Sequence, residues 1–127
     1  MRLVGIPGLN STGRIEVLYN GSWGTICNRY FTNKDANVIC EQLGYSGLSN
    51  FKAPFTSGTG PIWLDKVQCT GYEASIAICQ NNGWGNHSCS HDQDVGITCS
   101  DGTSIYDVAE YTSFNQLGNF VSNENNV

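Results

Sequence analysis

Charge is scarce in this sequence. Of its 127 residues only 13% are Asp, Glu, Lys or Arg, and just six are basic. A nucleic-acid-binding domain presents a patch of Lys and Arg that neutralises phosphates, and no such patch is visible here. There is also no basic amphipathic segment for a lipid surface. Long apolar runs are missing as well, since no stretch approaches the roughly 20 residues needed to cross a bilayer. Met1 leads directly into Arg2-Leu3-Val4 without a charged region followed by an apolar one, so no signal peptide is visible. Those residues read as the first strand of a folded body. The chain therefore reads as an excised domain or a fragment of a longer secreted or membrane-anchored protein.

Catalytic motifs are absent too. No G-x-S-x-G elbow occurs. Ser57-Gly58-Thr59-Gly60 is a glycine loop without the Lys of a phosphate cradle, and it reads as a flexible surface loop. No two cysteines form a CxxC pair, and close pairs are what a zinc knuckle needs to aim two ligands at one ion.

What the sequence does have is six cysteines and 15 glycines. Cys27, Cys40, Cys69, Cys79, Cys89 and Cys99 lie ten or more residues apart. An even number at such spacings predicts disulfides and an oxidising, extracellular location. Which cysteines pair is left open, because six allow 15 pairings. N-x-[ST] sequons make Asn10, Asn20 and Asn86 the glycosylation acceptors.

Period and turn chemistry place the elements. Ile15, Val17 and Tyr19 alternate with Arg14 and Glu16, which predicts a half-buried strand with a solvated polar face. Asn20-Gly21 then predicts a type I′ hairpin turn, returning through Ser22 to Cys27. Thr32 is placed to N-cap a helix, with Asp35 three residues on as a capping box. Ala36, Ile39, Cys40 and Leu43 form its buried stripe, and Gly44 suits a left-handed C-cap. Residues 45 to 61 read as a long irregular loop and Ile62-Trp63-Leu64 as a short buried strand. A second short helical turn is expected from about Glu73 to Cys79. Residues 80 to 94 read as irregular, and Val95, Ile97 and Cys99 as a last core strand. These elements suit a loop-rich fold of short strands with one or two helices. Residues 1–100 form the domain, and 101–127 read as a polar, mostly disordered tail or linker. Trp23, Trp63 and Trp84 read as core and hairpin packing.

The string Gly13-Arg14-Ile15-Glu16-Val17, then Gly21-Ser22-Trp23-Gly24-Thr25-Ile26-Cys27, resembles the opening of scavenger receptor cysteine-rich domains. The likeness continues through Asp35-Ala36 to Cys40 and Gln42-Leu43-Gly44-Tyr45. It resumes at Gly60-Pro61-Ile62-Trp63-Leu64-Asp65 and Cys69-x-Gly71-x-Glu73. It closes with Cys79, Trp84-Gly85, His87-x-Cys89, His91 and Asp94-Val95-Gly96-Ile97-Thr98-Cys99. The family has six- and eight-cysteine forms, and Ser11 and Tyr45 stand where the extra pair would be, so this chain resembles the six-cysteine type. The resemblance implies an α+β fold, a small curved antiparallel sheet cradling one main helix plus a short second helix, with long loops and three disulfides. It implies the bridges Cys27–Cys89, Cys40–Cys99 and Cys69–Cys79. A bridge from Cys40 to Cys99 closes a long loop, on the order of 3–4 kcal/mol of stabilisation in the loop-entropy model.

The resemblance also implies a non-catalytic, extracellular ligand-binding module of a scavenger, adhesion or innate-immune receptor or secreted protein. The alternative is an accessory domain of a larger secreted enzyme, a protease or an amine oxidase. Cys89 lies between His87 and His91, a pattern that also suits a nucleophile, but the implied bridge consumes its thiol. Family members often hold Ca²⁺ or Mg²⁺ between two acidic residues after the first cysteine and a third near the penultimate strand. Asn28 and Arg29 occupy the first two places here and Asp92 the third, so an Arg29–Asp92 ion pair is expected to fill the space. A second cation site would use Asp65 and the positions of Lys66 and Ser88. Asp65, Asp92 and Asp94 remain as metal candidates, and no cofactor is expected. Direct or metal-bridged capture of polyanions is disfavoured, and a protein or glycan partner is expected.

Overall fold

The computed structural model describes residues 1–5, 7–52 and 55–100, so the expected tail at 101–127 lies outside the described residues. Among the described residues, six strands and one α-helix follow in the order β1 (Arg2–Val4), β2 (Thr12–Tyr19), β3 (Ser22–Ile26), α1 (Asn33–Gln42), β4 (Gly47–Lys52), β5 (Ile62–Leu64) and β6 (Gly96–Ser100). They form one sheet in the order β4-β6-β2-β3-β5, with β1 also paired to β2. Strand β2 carries this architecture. It holds β6 along Thr12–Arg14, β1 along Arg14–Glu16 and β3 along Glu16–Tyr19. The pairings are antiparallel except for β3 with β5, which run parallel, so the curled sheet is mixed.

The β2–β3 hairpin follows from its turn. Asn20 and Gly21 have φ of 51° and 81°, and Tyr19 faces Ser22 across a two-residue loop. Positive φ at both central positions is the condition that Asn-Gly meets with least strain.

Helix α1 is held at its start by a complete capping box. The Thr32 hydroxyl accepts from the Lys34 N–H, and Asp35 accepts from the Thr32 N–H at 2.7 Å. Asp35 also accepts from the Cys69 N–H at 2.6 Å, so one buried carboxylate caps the helix and anchors the distant loop. Gly44 follows the C-cap with φ of 95°. Ala36, Val38, Ile39 and Cys40 are buried with Ile15, Val17, Ile26, Leu64, Val67, Ile76, Val95 and Ile97 between helix and sheet. Leu43 is only half-buried.

The expectations for the 45–61 loop and for the polar face of β2 need correcting. The long loop at 45–61 contains β4, which pairs antiparallel with β6 through an irregularity between Leu48 and Asn50. Its Gly, Ser and Asn residues depress strand propensity, and the ladder offered by β6 overrides them. The polar face of β2 is not a solvated one. Glu16 is buried between Arg2 (2.8 Å) and Arg14 (2.8 Å), and the Arg2 guanidinium lies 4.0 Å from the centre of the Trp23 ring. Strand β1 brings Arg2 directly opposite Glu16, a pairing set by register rather than by local sequence.

The second helical element is a three-residue 3₁₀ turn, Ile76–Ile78, capped by Ser75. Glu73 does not enter it. That carboxylate accepts from the N–H groups of Thr70 and Gly71 and from the Thr70 hydroxyl, which hold its pKa down to about 2. A further 3₁₀ turn, His91–Gln93, interrupts the irregular 80–94 stretch. Disulfides join Cys27 to Cys89, Cys40 to Cys99 and Cys69 to Cys79. The bridge Cys40–Cys99 ties α1 to β6, and Cys69–Cys79 closes the loop that Asp35 anchors.

Candidate functional site

The candidate cation-site residues fall around the Cys27–Cys89 bridge. Cys27 directly follows β3, donates its N–H to the Leu64 carbonyl and pairs with Asp94 as an isolated bridge. Asp65 follows directly after β5. Its carboxylate is fully buried, and Arg29 meets it with both arms of its guanidinium, Nε at 3.1 Å and Nη2 at 2.5 Å. Burial pushes the Asp65 pKa up. The Arg29 hydrogen bonds and charge, with the Lys66 N–H, outweigh that and leave it below the usual carboxylate range. Arg29 is correspondingly raised, chiefly by its bonds to Asp65. The expected partner was Asp92, and this expectation is corrected: Asp92 is exposed on the second 3₁₀ turn, and the β5 end delivers Asp65 instead.

Asp94 is committed elsewhere. It is fully buried and accepts from the Gly58 N–H at 2.7 Å and from His91 Nδ1 at 2.9 Å. The other ring nitrogen, Nε2, points at the Gly60 carbonyl at 3.0 Å. Both His91 nitrogens therefore face acceptors, and the imidazolium alone can donate to both. Partial burial pushes the His91 pKa down and Arg14 adds to that. Asp94 and the Gly60 carbonyl outweigh them, so His91 titrates above its ordinary value. This clasp fixes the Ser57–Gly60 loop against the 3₁₀ turn, helped by the Ser57 hydroxyl donating to the His91 carbonyl at 3.2 Å.

Asp65 and Asp94 thus serve separate ends, and Asp92 stands exposed apart from both. Among the described residues, the groups of three Cys, His, Asp or Glu donors lying within 4.8 Å of one another are Cys27, Asp65, Cys89 and Cys69, Glu73, Cys79. In both, the sulfurs are spent in disulfides. The thiol of Cys89 is likewise unavailable as a nucleophile, and His87 Nδ1 accepts from the Cys89 backbone N–H at 2.9 Å. Asn28 donates its backbone N–H to the Gln93 carbonyl, Lys66 adopts φ of 55°, and Ser88 is exposed.

The sequon residues Asn10, Asn20 and Asn86 are all exposed. Trp63 and Trp84 pack against the core, and Tyr19 stacks on Trp84 (4.2 Å) and meets Trp63 edge-on (5.0 Å). His91 and Asp94 lie three residues apart, but Gly58 and Gly60 lie more than 30 residues away and no local signal joins them.

The model of the scavenger receptor cysteine-rich domain matches residues 8–100. Lysyl oxidase homolog 3B of Danio rerio is 47% identical over 102 residues, which cover 79% of this chain and 13% of that protein. This chain therefore spans about an eighth of that relative's length. The third such domain of murine neurotrypsin superposes with a TM-score of 0.70 at 44% identity, covering 81% of this chain and 96% of that one. The domain of mouse MARCO, in its dimeric form, gives 0.68 at 47% identity, covering 76% and 94%.

Proposed function

The chain belongs to the scavenger receptor cysteine-rich family, and from that membership we propose that it captures an extracellular protein or glycan without help from a divalent cation. The domain is a non-catalytic module, with its cysteines spent in bridges. The observation that carries the cation-independent reading is the Arg29–Asp65 pair, in which a guanidinium already satisfies the buried carboxylate that an ion would need. The module works outside the cell, in a secreted protein or an ectodomain, where its disulfides persist. Among the described residues no helix is long and apolar enough to cross a membrane.

One observation favours a more specific setting. The likeness to lysyl oxidase homolog 3B supports a role as an accessory module that positions a separate amine oxidase domain. The sequence of the full-length gene tests this setting, through the presence or absence of a downstream catalytic domain. The experiment for the module itself is a binding panel of polyanions, glycans and extracellular proteins on the oxidised chain, with calcium or with chelator. Equal capture in both conditions is expected. Capture that requires calcium overturns the cation-independent reading, and no capture by any ligand supports a structural spacer instead.

A further inference from the structure

Beside the Arg29–Asp65 pair lies a cleft of about 130 Å³ lined by Tyr30, Lys66, Gln68, Gln80, Asn81 and Asn82. Its back wall is a short antiparallel ladder: Gln68 pairs with Gln80, and the Asn82 N–H donates to the Asp65 carbonyl at 3.1 Å. The Cys69–Cys79 disulfide closes that ladder one residue further on, so the wall is covalently fixed. Residues paired across such a bridge present their side chains on one face. The exposed Gln68 and Gln80 amides therefore stand together at the rim.

The other two lining groups are held in place at a conformational cost. Tyr30 and Lys66 have φ of 65° and 55°, and with Asn20 of the hairpin they are the non-glycine residues of positive φ among those described. Tyr30 occupies a turn closed by Phe31 N–H to Asn28 carbonyl (3.0 Å), where a glycine or asparagine would be relaxed. In the left-handed turn Tyr30 is 60% exposed, with the Lys66 ammonium 5.7 Å from the centre of its ring. Strained non-glycine backbone gathers where a surface is built for a ligand.

Chemistry selects the occupant. Amides on a rigid frame offer paired donors and acceptors, which match vicinal hydroxyls, and an exposed aromatic edge suits the apolar face of a pyranose. The chain has a net charge of −5, yet this cleft contains no carboxylate lining and one cation, Lys66. Its volume falls well below the roughly 300–1,000 Å³ that encloses a drug-sized ligand, so one ring fits rather than a long chain. We propose that this cleft is a subsite for a single carboxylate-bearing sugar residue, with Lys66 taking the carboxylate and Gln68 and Gln80 the hydroxyls. The proposal rests on the reading of the chain as a ligand-binding module and names the ligand class for one face of it.

The test is an NMR titration of the oxidised, isotope-labelled 127-residue chain with glucuronate, using glucose as the neutral control. Glucuronate is expected to shift the Gln68 and Gln80 side-chain amides and the Tyr30 ring. Lys66→Asn, which keeps a residue suited to positive φ, is expected to weaken glucuronate by about fivefold and leave glucose unchanged. Gln80→Ala, exposed and outside the core, is expected to weaken both sugars. Glucuronate and glucose binding equally, Lys66→Asn leaving glucuronate unaffected, or the absence of shifts at these residues each overturns the subsite. Protein or glycan capture that leaves the Gln68, Gln80 and Tyr30 resonances unmoved keeps the module reading and removes this one.

Discussion

Removing the His91 side chain tests how the loop beside the candidate site is held. In the folded chain the ring donates to the buried Asp94 carboxylate at 2.9 Å and to the Gly60 carbonyl at 3.0 Å. His91→Ala leaves Asp94 with the Gly58 N–H and no cationic donor at that position. Hydrogen bonds to charged groups contribute about 1.5–3 kcal/mol, and the ring is 27% exposed, so water competes and the lower end applies. A loss of about 1.5–2 kcal/mol lowers Tm by about 6–16 °C in a domain of this size. The sign with pH follows from the direction of the shift. His91 in the folded chain titrates above its ordinary 6.5. Its contribution is therefore fully present below that value and is lost as pH rises through the raised one. Scanning calorimetry of wild type and variant at about pH 5.5 and about pH 8.5 should show the larger Tm gap at the lower pH. A gap that is constant or grows with pH refutes the imidazolium clasp.

The disulfides should differ in weight. Cys40–Cys99 spans 59 residues and Cys69–Cys79 spans 10, which the loop-entropy relation converts to about 4 and about 2.7 kcal/mol. Urea unfolding of the two double-serine variants should rank them in that order, and a costlier short loop would contradict it. Gly24 is the second expectation: a Cβ there would run into the Trp63 indole and the Pro61 carbonyl. Gly24→Ala should cost about 1–3 kcal/mol and displace Trp63 from Tyr19, read by a changed tryptophan fluorescence spectrum. An unaltered spectrum and midpoint would show that the β3–β5 contact gives way freely.

How much of this was legible in the sequence depended on how local the cause was. The Asn20-Gly21 turn and the Thr32/Asp35 box are each fixed by residues within a few positions, and both stand where the sequence puts them. Strand β4 was hidden because its composition argues against a strand and only the β6 ladder makes it one. Glu16 was misread for the same reason: a strand's polar face says nothing of Arg2, which arrives from another strand 14 residues away. At the candidate site the substitution of a cation for a carboxylate at Arg29 was visible, but its partner was not. Asp65 and Asp92 are both acidic and distant in sequence, and only the end of β5 next to Cys27 decides between them. The left-handed Tyr30 and Lys66 carry no signal of Gly or Asn type, so nothing in the sequence announced their cleft.

The central claim is that Arg29 does for Asp65 what a metal ion would otherwise do. Isothermal titration of calcium into the oxidised wild-type chain, beside Arg29→Asp, tests it directly. The wild type should give no saturable heat below about 1 mM, the weak limit of extracellular calcium modules, and the variant should acquire a saturable site. Micromolar binding by the wild type would contradict the account.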